Sequence, residues 1–546
     1  MNVILVIVFL GAVIFFHELG HFLIAKYFDV KVLEFALGFG PKLLKKRLGE
    51  TEYSIRALPL GGLVKMAGED AAGELKPEDK GRTFLEKPVW QRILIILAGP
   101  LANLLLPIPL YFTILAAPQE GPSTLVAYIV PESPSAKAGI RVGDRILAVD
   151  GEKVVLFSHL SKIIRSKPNK TVSIKLVRDS QPMEIKVHTE KVTEKDILGK
   201  EQTYGRIGIM SSFKRADIGI ISEKSIAYRA GLKTWDRIAE INGRKIENWD
   251  ELQRYFEAGV SGNISITVLR PKEISREGLL AENRVKRIVK ITLPDEIEAV
   301  KTTEELGFES SELYVAAVEQ NLPANTMGLK KGDRILAVDG KKLLDEAMLL
   351  DYIAPARERP VTLEWKSGDE LKKGELKLQK TEVESIAKVK VPDYPPGFGT
   401  YIERYPAEMT RYRENPIIAF KNALLETAGK SALIIAALAS MFTGEVPIDQ
   451  IGGPIMLYKL SSEAAERGLD YFFSIIAFIS INLGLINLFP VPILDGGLIA
   501  IFLVEAMRRK PIPDTLRYAM NVVGLFLLIS LMLFAIKNDI VRYWFS

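Results

Sequence analysis

The chain lacks cysteine altogether and has only four histidines, His17, His21, His159 and His188, in 546 residues. Without cysteine it can form no disulfide bond, use no thiolate nucleophile and offer no sulfur ligand to a metal, although its compartment stays open. Any metal site must therefore use few imidazoles or recruit carboxylates. Net charge is also small, +5 from 72 Lys and Arg against 67 Asp and Glu, and this balance gives no support for nucleic acid as a partner.

Long apolar runs are abundant, and they predict membrane helices. The first run contains two of the histidines and continues to residue 24, and runs without any charge cover 93–118, 471–494 and 518–536. About 20 apolar residues cross a hydrocarbon core of about 30 Å, so four spans are expected. The first run has no basic residues before it and no A-x-A-like cleavage site, which favours a retained helix over a removed signal peptide.

A further apolar segment, 431–444, is shorter than the others. Lys421, Glu426 and Lys430 precede it at helical spacing. This pattern favours an interfacial amphipathic helix on the bilayer surface, and for 418–444 the spanning alternative stays open.

The basic residues predict the orientation of these spans. Segment 26–92 has thirteen Lys and Arg, and the short segment 505–517 has four. The positive-inside rule assigns both segments to the cytoplasm. Four spans then leave both termini and the long segment 119–470 on the outer side.

The outer segment contains a threefold repeat. Its copies are AGIRVGDRILAVDG (138–151), AGLKTWDRIAEING (230–243) and MGLKKGDRILAVDG (327–340). Each copy predicts a short helix ended by Gly, a turn, a strand and an Asp-Gly or Asn-Gly turn. The period is too long for a solenoid unit and indicates three small globular domains. Trp235 departs from the pattern, because the other copies have glycine at its position.

The stretch FFHELGHFL (15–23) puts ionisable residues inside the first apolar run. Such a group in hydrocarbon costs about 2.5–3.5 kcal/mol even on the mildest scale unless it is paired or ligated. On a helix His17 and His21 share one face. Their imidazoles can converge on one zinc ion, while Glu18 reaches a bound water as general base. The alternative is two histidines that bond to backbone or to other helices.

A zinc site of this kind needs a third protein ligand and keeps its fourth position open. A metzincin would have a histidine at position 27, which is Tyr27 here, and the remaining histidines lie in the outer segment. The segment NLFPVPILDGG (487–497) supplies Asp495, and its two prolines predict a broken helix. His17 lies roughly 21 Å from the outer end of its span at 1.5 Å per residue. That depth is near the cytoplasmic side, where the basic residues after Asp495 also put this carboxylate.

The chain resembles the site-2 protease family of intramembrane zinc metalloproteases, and within it the type that regulates sigma-E. The resemblance is carried by HELGH in the first span, AGPLAN (98–103) in the second, the outer repeats and NLFPVPILDGG. The resemblance runs from end to end. It implies Zn²⁺ bound by His17, His21 and Asp495, with Glu18 as catalytic base. It also implies that Asn487 is a catalytic residue that holds substrate or stabilises the oxyanion.

The same resemblance implies a substrate class and a location. The expected substrates are single-span membrane proteins, in the manner of an anti-sigma factor already cut on its outer side, or remnant signal peptides. The expected location is the bacterial cytoplasmic (inner) membrane, with several spans in the lipid bilayer. The active site would face the cytoplasm.

The repeats resemble bacterial PDZ domains. GRIGI (205–209), centred on Ile207, and ELGF (305–308), with Gly307, precede the second and third copies. A PDZ domain binds a peptide carboxylate on backbone N–H groups at such a loop, so peptide C-termini are expected partners. The alternative is a set of spacers without a ligand. Three copies depart from the two PDZ domains usual in proteases of this type, which leaves their recognition or gating role open.

Between residues 32 and 66, short segments that resemble strands are separated by glycines. They fit the small membrane-associated sheet of this family, whose exposed edge could pair with an unwound substrate backbone. The alternative is an ordinary cytoplasmic linker. The candidate substrate-binding residues are Gly38, Gly40, Gly61, Gly62 and Asn103.

The predicted fold class is a multi-domain membrane protein. It has a four-span α-helical transmembrane metalloprotease core, with tandem PDZ-like α+β domains inserted between spans two and three. The expected segments are span one (1–28), the β loop (29–90), span two (91–118), PDZ-like domains (119–195, 200–295 and 300–385), a linker with an interfacial helix (386–469), span three with its break (470–507) and span four (516–540).

Two other functions are alternatives to proteolysis. A catalytically inactive, membrane-anchored PDZ scaffold would have no use for buried ionisable residues, so HELGH and Asp495 count against it. A transporter would be expected to have a second broken helix in an inverted half of the chain, and the sequence shows none.

Overall fold

The chain is divided into two units in the computed structural model, which describes residues 2–69, 79–195, 201–272, 284–353, 359–379, 381–384, 390–393, 395–443, 451–510 and 512–545. The first unit comprises Met1–Gln119, Glu384–Lys390 and Arg413–Ser546, and the second comprises Glu120–Val383 and Val391–Tyr412. The apolar helices thus belong to the first unit, and the three sequence repeats belong to the second.

The first unit begins with helix α1 (Asn2–Tyr27), which contains the HELGH sequence. Strands β1 (Val32–Leu48) and β2 (Thr51–Met66) follow, and they confirm the strands predicted between residues 32 and 66. Helices α2 (Val89–Leu105) and α3 (Pro107–Ala116) then form the second apolar segment.

Strand β1 bends back on itself, so that β1 and β2 together form a sheet in which more than two strand segments lie side by side. Residues 34–37 pair with 62–65 on one side and with 52–55 on the other, whereas 42–48 pair with 51–56. The bend includes Gly38 and Gly40, with φ of 89° and 87°, a region that favours glycine. Within the described residues, 62–65 pair with β1 on one side only. Segment 62–65 is therefore an edge of the sheet.

The repeats form three small domains, each built around a four-stranded antiparallel sheet. The order of elements is the same as far as the end of this sheet, after which the first and third domains have a pair of strands and the second has a short helix before the last strand. The first repeat domain follows β3 (Gln119–Pro122) and contains β4 (Tyr128–Ile129), α4 (Pro134–Ala138), β5 (Arg145–Val149), β6 (Glu152–Lys153), α5 (Phe157–Arg165), β7 (Thr171–Arg178), β8 (Gln181–His188), β9 (Glu190–Lys195), β10 (Glu201–Arg206) and β11 (Ile209–Met210).

The second repeat domain follows β12 (Ser212–Lys214) and contains β13 (Ile218–Ile220), α6 (Ile226–Arg229), β14 (Arg237–Ile241), β15 (Arg244–Lys245), α7 (Trp249–Glu257), β16 (Asn263–Pro271), β17 (Arg284–Thr292), α8 (Thr303–Leu306) and β18 (Phe308–Ser310). The third contains β19 (Val315–Val318), α9 (Pro323–Thr326), β20 (Arg334–Val338), β21 (Lys341–Lys342), α10 (Glu346–Ile353), β22 (Val361–Ser367), β23 (Glu370–Leu376), β24 (Thr381–Glu384), β25 (Lys390–Asp393) and β26 (Phe398–Thr400).

Trp235 takes the same turn conformation as the glycines of the other copies. Its φ is 69°, against 94° for both Gly143 and Gly332. Its N–H donates to Ile218 O, as those of Gly143 and Gly332 donate to the equivalent strands. The second copy therefore keeps the turn despite its bulky residue.

Each repeat domain is closed by a strand that lies after its sheet in the sequence. Strands β11, β18 and β26 pair with β4, β13 and β19. Gly208, Gly307 and Gly397 precede them, with φ of 77°, 91° and 79°. A Cβ on these glycines would lie 2.4 Å from Ser133 Cβ, 2.1 Å from Ser225 Cβ and 2.6 Å from Leu322 Cβ. Glycine is therefore required at all three positions, and the third was not predicted.

This arrangement corrects the predicted domain boundaries. The boundaries 119–195, 200–295 and 300–385 assigned loops 205–209 and 305–308 to the domains that follow them. Instead, Ile207 lies in the core of the first repeat domain, and Leu306 lies in the core of the second. Phe398 packs on the core of the third, beyond residue 385. The sequence could not decide this because each loop lies between two copies.

The last segment of the second unit runs back along all three repeat domains. Tyr401 and Glu403 contact the second, strand β27 (Arg404–Pro406) pairs with β12, and β28 (Met409–Tyr412) pairs with β3. Glu408 accepts hydrogen bonds from Ser123 and Arg145 of the first. The segment thus connects the three domains into one unit.

The first unit resumes with α11 (Pro416–Phe442), α12 (Pro454–Arg467), α13 (Leu469–Asn487), α14 (Asp495–Arg508) and α15 (Asp514–Ile540), which ends in a π-helical turn (Val541–Phe545). Among the side chains that the structure describes, four helical segments are long and apolar enough to cross a membrane: 89–116, 416–441, 469–487 and 515–543. Three of these correspond to predicted spans.

The fourth segment differs from the prediction. The expected apolar stretch at 431–444 was too short to cross a bilayer, but α11 has 27 residues. The helix extends back through Lys421, Glu426 and Lys430, and its length and composition permit a span. Its Phe420 ring packs edge-to-face against that of Phe112 in α3, 6.3 Å between centroids.

The predicted break before Asp495 is confirmed. Helix α13 ends at Asn487, and α14 begins at Asp495 after a segment with two prolines. The chain reverses tightly here, because a Cβ on Gly496 would lie 2.3 Å from Leu488 O, and one on Gly497 would lie 2.2 Å from Val491 O. The break therefore puts Asp495 on the first turn of a new helix.

Buried Glu505 holds this new helix against its neighbours. Its carboxylate accepts from Arg92 of α2 at 3.2 Å and from the N–H of Ile512 at 3.1 Å. Arg517 of α15 lies 3.4 Å away. A buried carboxylate with charged and backbone donors is compensated, so it can orient α14 relative to α2 and α15.

Candidate metal centre

The structure brings together His17, His21 and Asp495 from the two ends of the chain. Suitable ligand atoms of the three lie within 4.8 Å of one another. His17 Nε2 is 3.2 Å from His21 Nε2, and Asp495 Oδ2 is 3.1 Å from the former and 3.7 Å from the latter. Both histidines are buried. Within the described ranges no other group of three such side chains is found.

The other two histidines have different surroundings. The His159 ring packs edge-to-face against that of Tyr412, 5.0 Å between centroids. His188 Nδ1 lies 3.1 Å from Thr171 Oγ1, and its Nε2 lies 3.1 Å from Asn169 Oδ1. Both belong to the second unit, as the sequence predicts.

The donor set fits a divalent metal ion. Asp495 Oδ2 is buried and has no hydrogen-bond partner within the described structure, a costly state for a carboxylate oxygen unless a cation compensates it. Two imidazoles and one carboxylate form the ligand set of catalytic zinc sites that keep one position open. The residues present therefore satisfy the chemistry that such an ion requires.

Helix α2 orients the His21 ring. His21 Nδ1 lies 2.9 Å from the carbonyl oxygen of Ile95. A carbonyl can only accept, so Nδ1 carries the proton and the Nε2 lone pair points toward Asp495 and His17. The contact is close because Gly99 has no side chain: a Cβ there would lie 2.2 Å from His21 Nε2. Gly99 is part of AGPLAN, but the sequence alone does not show that it faces His21.

Asn103, predicted to bind substrate, lies beneath His17 instead of at an open surface. It is fully buried, and its amide Nδ2 is 3.2 Å from His17 Nδ1. Its Oδ1 is buried without a partner in the described structure. Because amide N and O are assigned from surroundings, exchanging them lets Oδ1 accept a proton from His17 Nδ1. His17 then has the same tautomer as His21.

Glu18 lies beside the edge of the sheet. A Cβ on Gly62 would lie 2.4 Å from Glu18 Cγ, so residue 62 touches the glutamate side chain directly. Gly61 packs on the Phe39 ring, where a Cβ would lie 2.0 Å from Cε2. Of the predicted substrate-binding glycines, Gly62 is therefore the one in contact with the predicted base, whereas Gly38 and Gly40 lie at the bend of β1.

Asn487 is the last residue of α13, immediately before the break. Its Nδ2 lies 3.4 Å from His17 Nε2. A side-chain amide thus stands on the same side of His17 as Asp495. The remaining predicted residues, Ile207 and Gly307, belong to the second unit.

Comparison with known proteins agrees with this geometry. The profile of Peptidase family M50 matches residues 5–531. The regulator of sigma-E protease RseP of Salmonella typhimurium is 28% identical over 539 residues, 98% of this chain and 97% of that protein. A candidate zinc metalloprotease of Thermotoga maritima is 27% identical over 558 residues, 99% of each chain.

Among solved structures, the PDZ domain of an SdrC-like protein from Listeria monocytogenes is 21% identical and covers 16% of this chain and 85% of that chain, with a TM-score of 0.13. A PDZ domain protein from Parabacteroides distasonis is 10% identical and covers 54% and 95%, also with a TM-score of 0.13. The family assignment rests on the sequence profile, which spans nearly the whole chain. The protein belongs to peptidase family M50.

Proposed function

We propose that the protein is an intramembrane zinc endopeptidase that cleaves single-span membrane proteins within their membrane segment. The observation that carries the proposal is the cluster of His17, His21 and Asp495, whose ligand atoms lie close together, with Glu18 next to the first ligand in the sequence. Membership in family M50 and the zinc metalloprotease name of a relative support it.

His17, His21 and Asp495 would hold the ion, and zinc, when bound, supplies Lewis-acid polarisation of a peptide carbonyl. Glu18 takes the proton of the attacking water and passes it to the leaving amine. Asn487 donates its amide N–H toward the oxygen that becomes negative in the transition state. Asn103 and Ile95 O keep both imidazole rings in the tautomer with a free Nε2 lone pair.

The substrate must be extended before cleavage, because a peptide bond within a helix is shielded by its own hydrogen bonds. Residues 62–65 offer a strand edge paired on one side only within the described chain. A substrate strand added there gains backbone hydrogen bonds and passes Glu18, since Gly62 touches that side chain. The lack of a side chain at residue 62 keeps this passage open.

The proposed setting is the bacterial cytoplasmic membrane, with the metal centre toward the cytoplasm and the repeat domains on the outer side. The basic segments 26–92 and 505–517 support this orientation. The repeat domains act as PDZ-like modules between the second and third apolar segments. Anti-sigma factors already cut on the outer side are the proposed substrates, supported by the sigma-E regulator names of relatives.

The test is cleavage of a purified single-span substrate by the full-length protein in detergent or vesicles. Glu18→Gln should keep the bound zinc but lose cleavage by about 100-fold or more, the scale of general base catalysis. Glu426→Gln, on α11, is the matched control and should cleave normally. Cleavage by Glu18→Gln at the wild-type rate would overturn the assignment of the base, and a wild-type protein without zinc would overturn the proposed function.

A further inference from the structure

A cleft of about 1120 Å³ lies within the second unit, between two repeat domains. One wall is formed by α5 and β11 of the first repeat domain, with Leu160, Ile164 and Ile209. The opposite wall is α10 of the third repeat domain, with Ala347 and Tyr352 among its lining residues. We call this space the inter-repeat cleft.

Polar contacts hold the two walls together. Arg206 of the first repeat domain donates to Asp351 of α10 at 2.6 Å. Tyr128 donates its hydroxyl to Asp345 at 2.5 Å, and Asp345 is fully buried. A buried polar group that loses its hydrogen-bond partner destabilises the fold, so these contacts fix α10 against the first repeat domain. The position of this second wall is therefore part of the fold.

The first wall offers unpaired backbone to a ligand. Strand β11 pairs with β4 on one side, and within the described chain its other edge has no partner strand. The carbonyls of Ile207 and Gly208 accept from the N–H groups of Ser135 and Val130, so these oxygens are already paired within the domain. The N–H groups of Ile207 and Gly208 have no partner in the described part of the chain. An extended polypeptide can add to such an edge.

The chemistry of the loop selects the end of that polypeptide. Successive free N–H groups at a left-handed glycine form a concavity that binds anions, and Gly208 has a φ of 77°. The Arg206 guanidinium, next to this loop in sequence, is already paired with Asp351 and Glu190, so the two backbone N–H groups are the donors left for an anion. A terminal carboxylate therefore fits the loop, and the apolar side chains of both walls favour an apolar last residue.

We propose that α10 of the third repeat domain is the second wall of one composite binding site, so that the third repeat selects which polypeptide C-termini the first repeat binds. This inference rests on the PDZ-like role given to the repeats in the proposed function. It gives the third copy a task that the first repeat domain cannot perform alone. The residues of α10 become specificity residues for the ligand of another domain.

The test uses the full-length protein in detergent and fluorescein-labelled hexapeptides. The probe is a pool with random sequence, valine at the last position and a free carboxylate, compared with the same pool amidated. Ala347→Trp fills the inter-repeat cleft from the third repeat, and Leu350→Trp puts the same bulk on an exposed site of α10 outside the cleft. Fluorescence anisotropy measures the binding, and zinc content is measured on each variant.

The wild type and Leu350→Trp should bind the acid pool equally, and Ala347→Trp should bind it at least tenfold more weakly. The amidated pool should bind poorly to all three. Equal binding by Ala347→Trp would overturn the composite site, and equal binding of both pools would overturn the carboxylate assignment. Absence of zinc from the wild type would instead count against the proposed function, since the cleft contains none of the metal ligands.

Discussion

Gly62 touches Glu18: a Cβ on the glycine would lie 2.4 Å from the Cγ of the glutamate. The edge of the sheet and the predicted catalytic base are therefore in direct contact, although 44 positions separate them in the sequence. A side chain at residue 62 would displace Glu18, the sheet edge or both.

Gly62→Ala should therefore lower the cleavage rate by about 10- to 100-fold, the cost of small misplacements of catalytic groups. Zinc content should stay unchanged, because the atoms nearest to a Cβ at residue 62 all belong to Glu18, which is not one of the three metal ligands. Gly429→Ala on α11 is the control, since nothing lies within 4 Å of a Cβ there. Cleavage of the same substrate by all three proteins checks the expectation, and full activity of Gly62→Ala would contradict the contact.

Asn103 should matter for metal affinity through His17. Asn103→Leu removes the acceptor for Nδ1 at similar volume, and zinc affinity should fall by about 10- to 100-fold. Asn103→Asp keeps an acceptor and should restore most of that affinity. Ser480→Ala is the control, because the Ser480 hydroxyl bonds the backbone oxygen of Asn103, at 2.8 Å, and not its side chain.

Competition with a fluorescent zinc chelator measures these affinities. If Asn103 had only a structural role, Asn103→Leu and Asn103→Asp would lower the zinc affinity equally. Equal loss in both variants would therefore refute the proposed tautomer role.

Asp495 should be required for the metal itself. Wild type should bind one zinc ion per chain, whereas Asp495→Ala and His17→Ala should bind substoichiometric zinc, because each loses one of three ligands. Asp470→Ala, at the exposed start of α13, should retain the ion. Elemental analysis after dialysis checks this, and a chelator should abolish cleavage until zinc is restored. Normal zinc in Asp495→Ala would show that another group is the third ligand.

Arg178 should be essential for the stability of the first repeat domain. It donates from Nε and Nη2 to Asp144, each at 2.7 Å, and Asp144 is fully buried. Removing one partner of a buried pair typically costs about 3–5 kcal/mol. Arg178→Ala should therefore increase hydrogen exchange across β5 and β7. Lys245→Ala, which breaks an exposed pair in the second repeat domain, should leave exchange unchanged.

Acid should loosen the turn between β1 and β2. Arg82, followed by Lys26, lowers the pKa of Glu50 from 4.5 to about 2. A lowered folded-state pKa gives stability that is complete above about pH 4.5 and is lost as pH falls toward 2. After solvent screening this amounts to about 1–2 kcal/mol. The protection of amides 48–52 against hydrogen exchange, measured relative to the intrinsic rate at each pH, should fall between pH 5 and pH 3, and Arg82→Ala should weaken that pH dependence.

Much of the metal centre could be predicted from short patterns. The i, i+4 spacing puts His17 and His21 on one helix face whatever surrounds the helix. The two prolines before Asp495 oblige the helix to break there, because proline lacks an N–H and clashes with the preceding turn. The order of elements within each repeat was predictable for the same reason, since turns and caps depend on a few adjacent residues.

Contacts between distant segments were not predictable in this way. The role of Asn103 depends on how α2 packs on α1, and that packing depends on Gly99, whose neighbour in space is His21. The assignment of Gly208 and Gly307 to the preceding domains depends on which sheet they complete. A loop between two similar domains has the same local sequence in either case.

The sequence by itself determined which atoms can ligate a metal and where the chain turns or a helix breaks, because these properties are local to a few residues. Only the tertiary structure decided that Asp495 reaches His17, that Gly62 touches Glu18 and that the third repeat forms a wall of the cleft beside the first. These relations arise from packing between segments up to hundreds of residues apart. Packing is a property of the whole arrangement, since each contact is possible only when many others have formed.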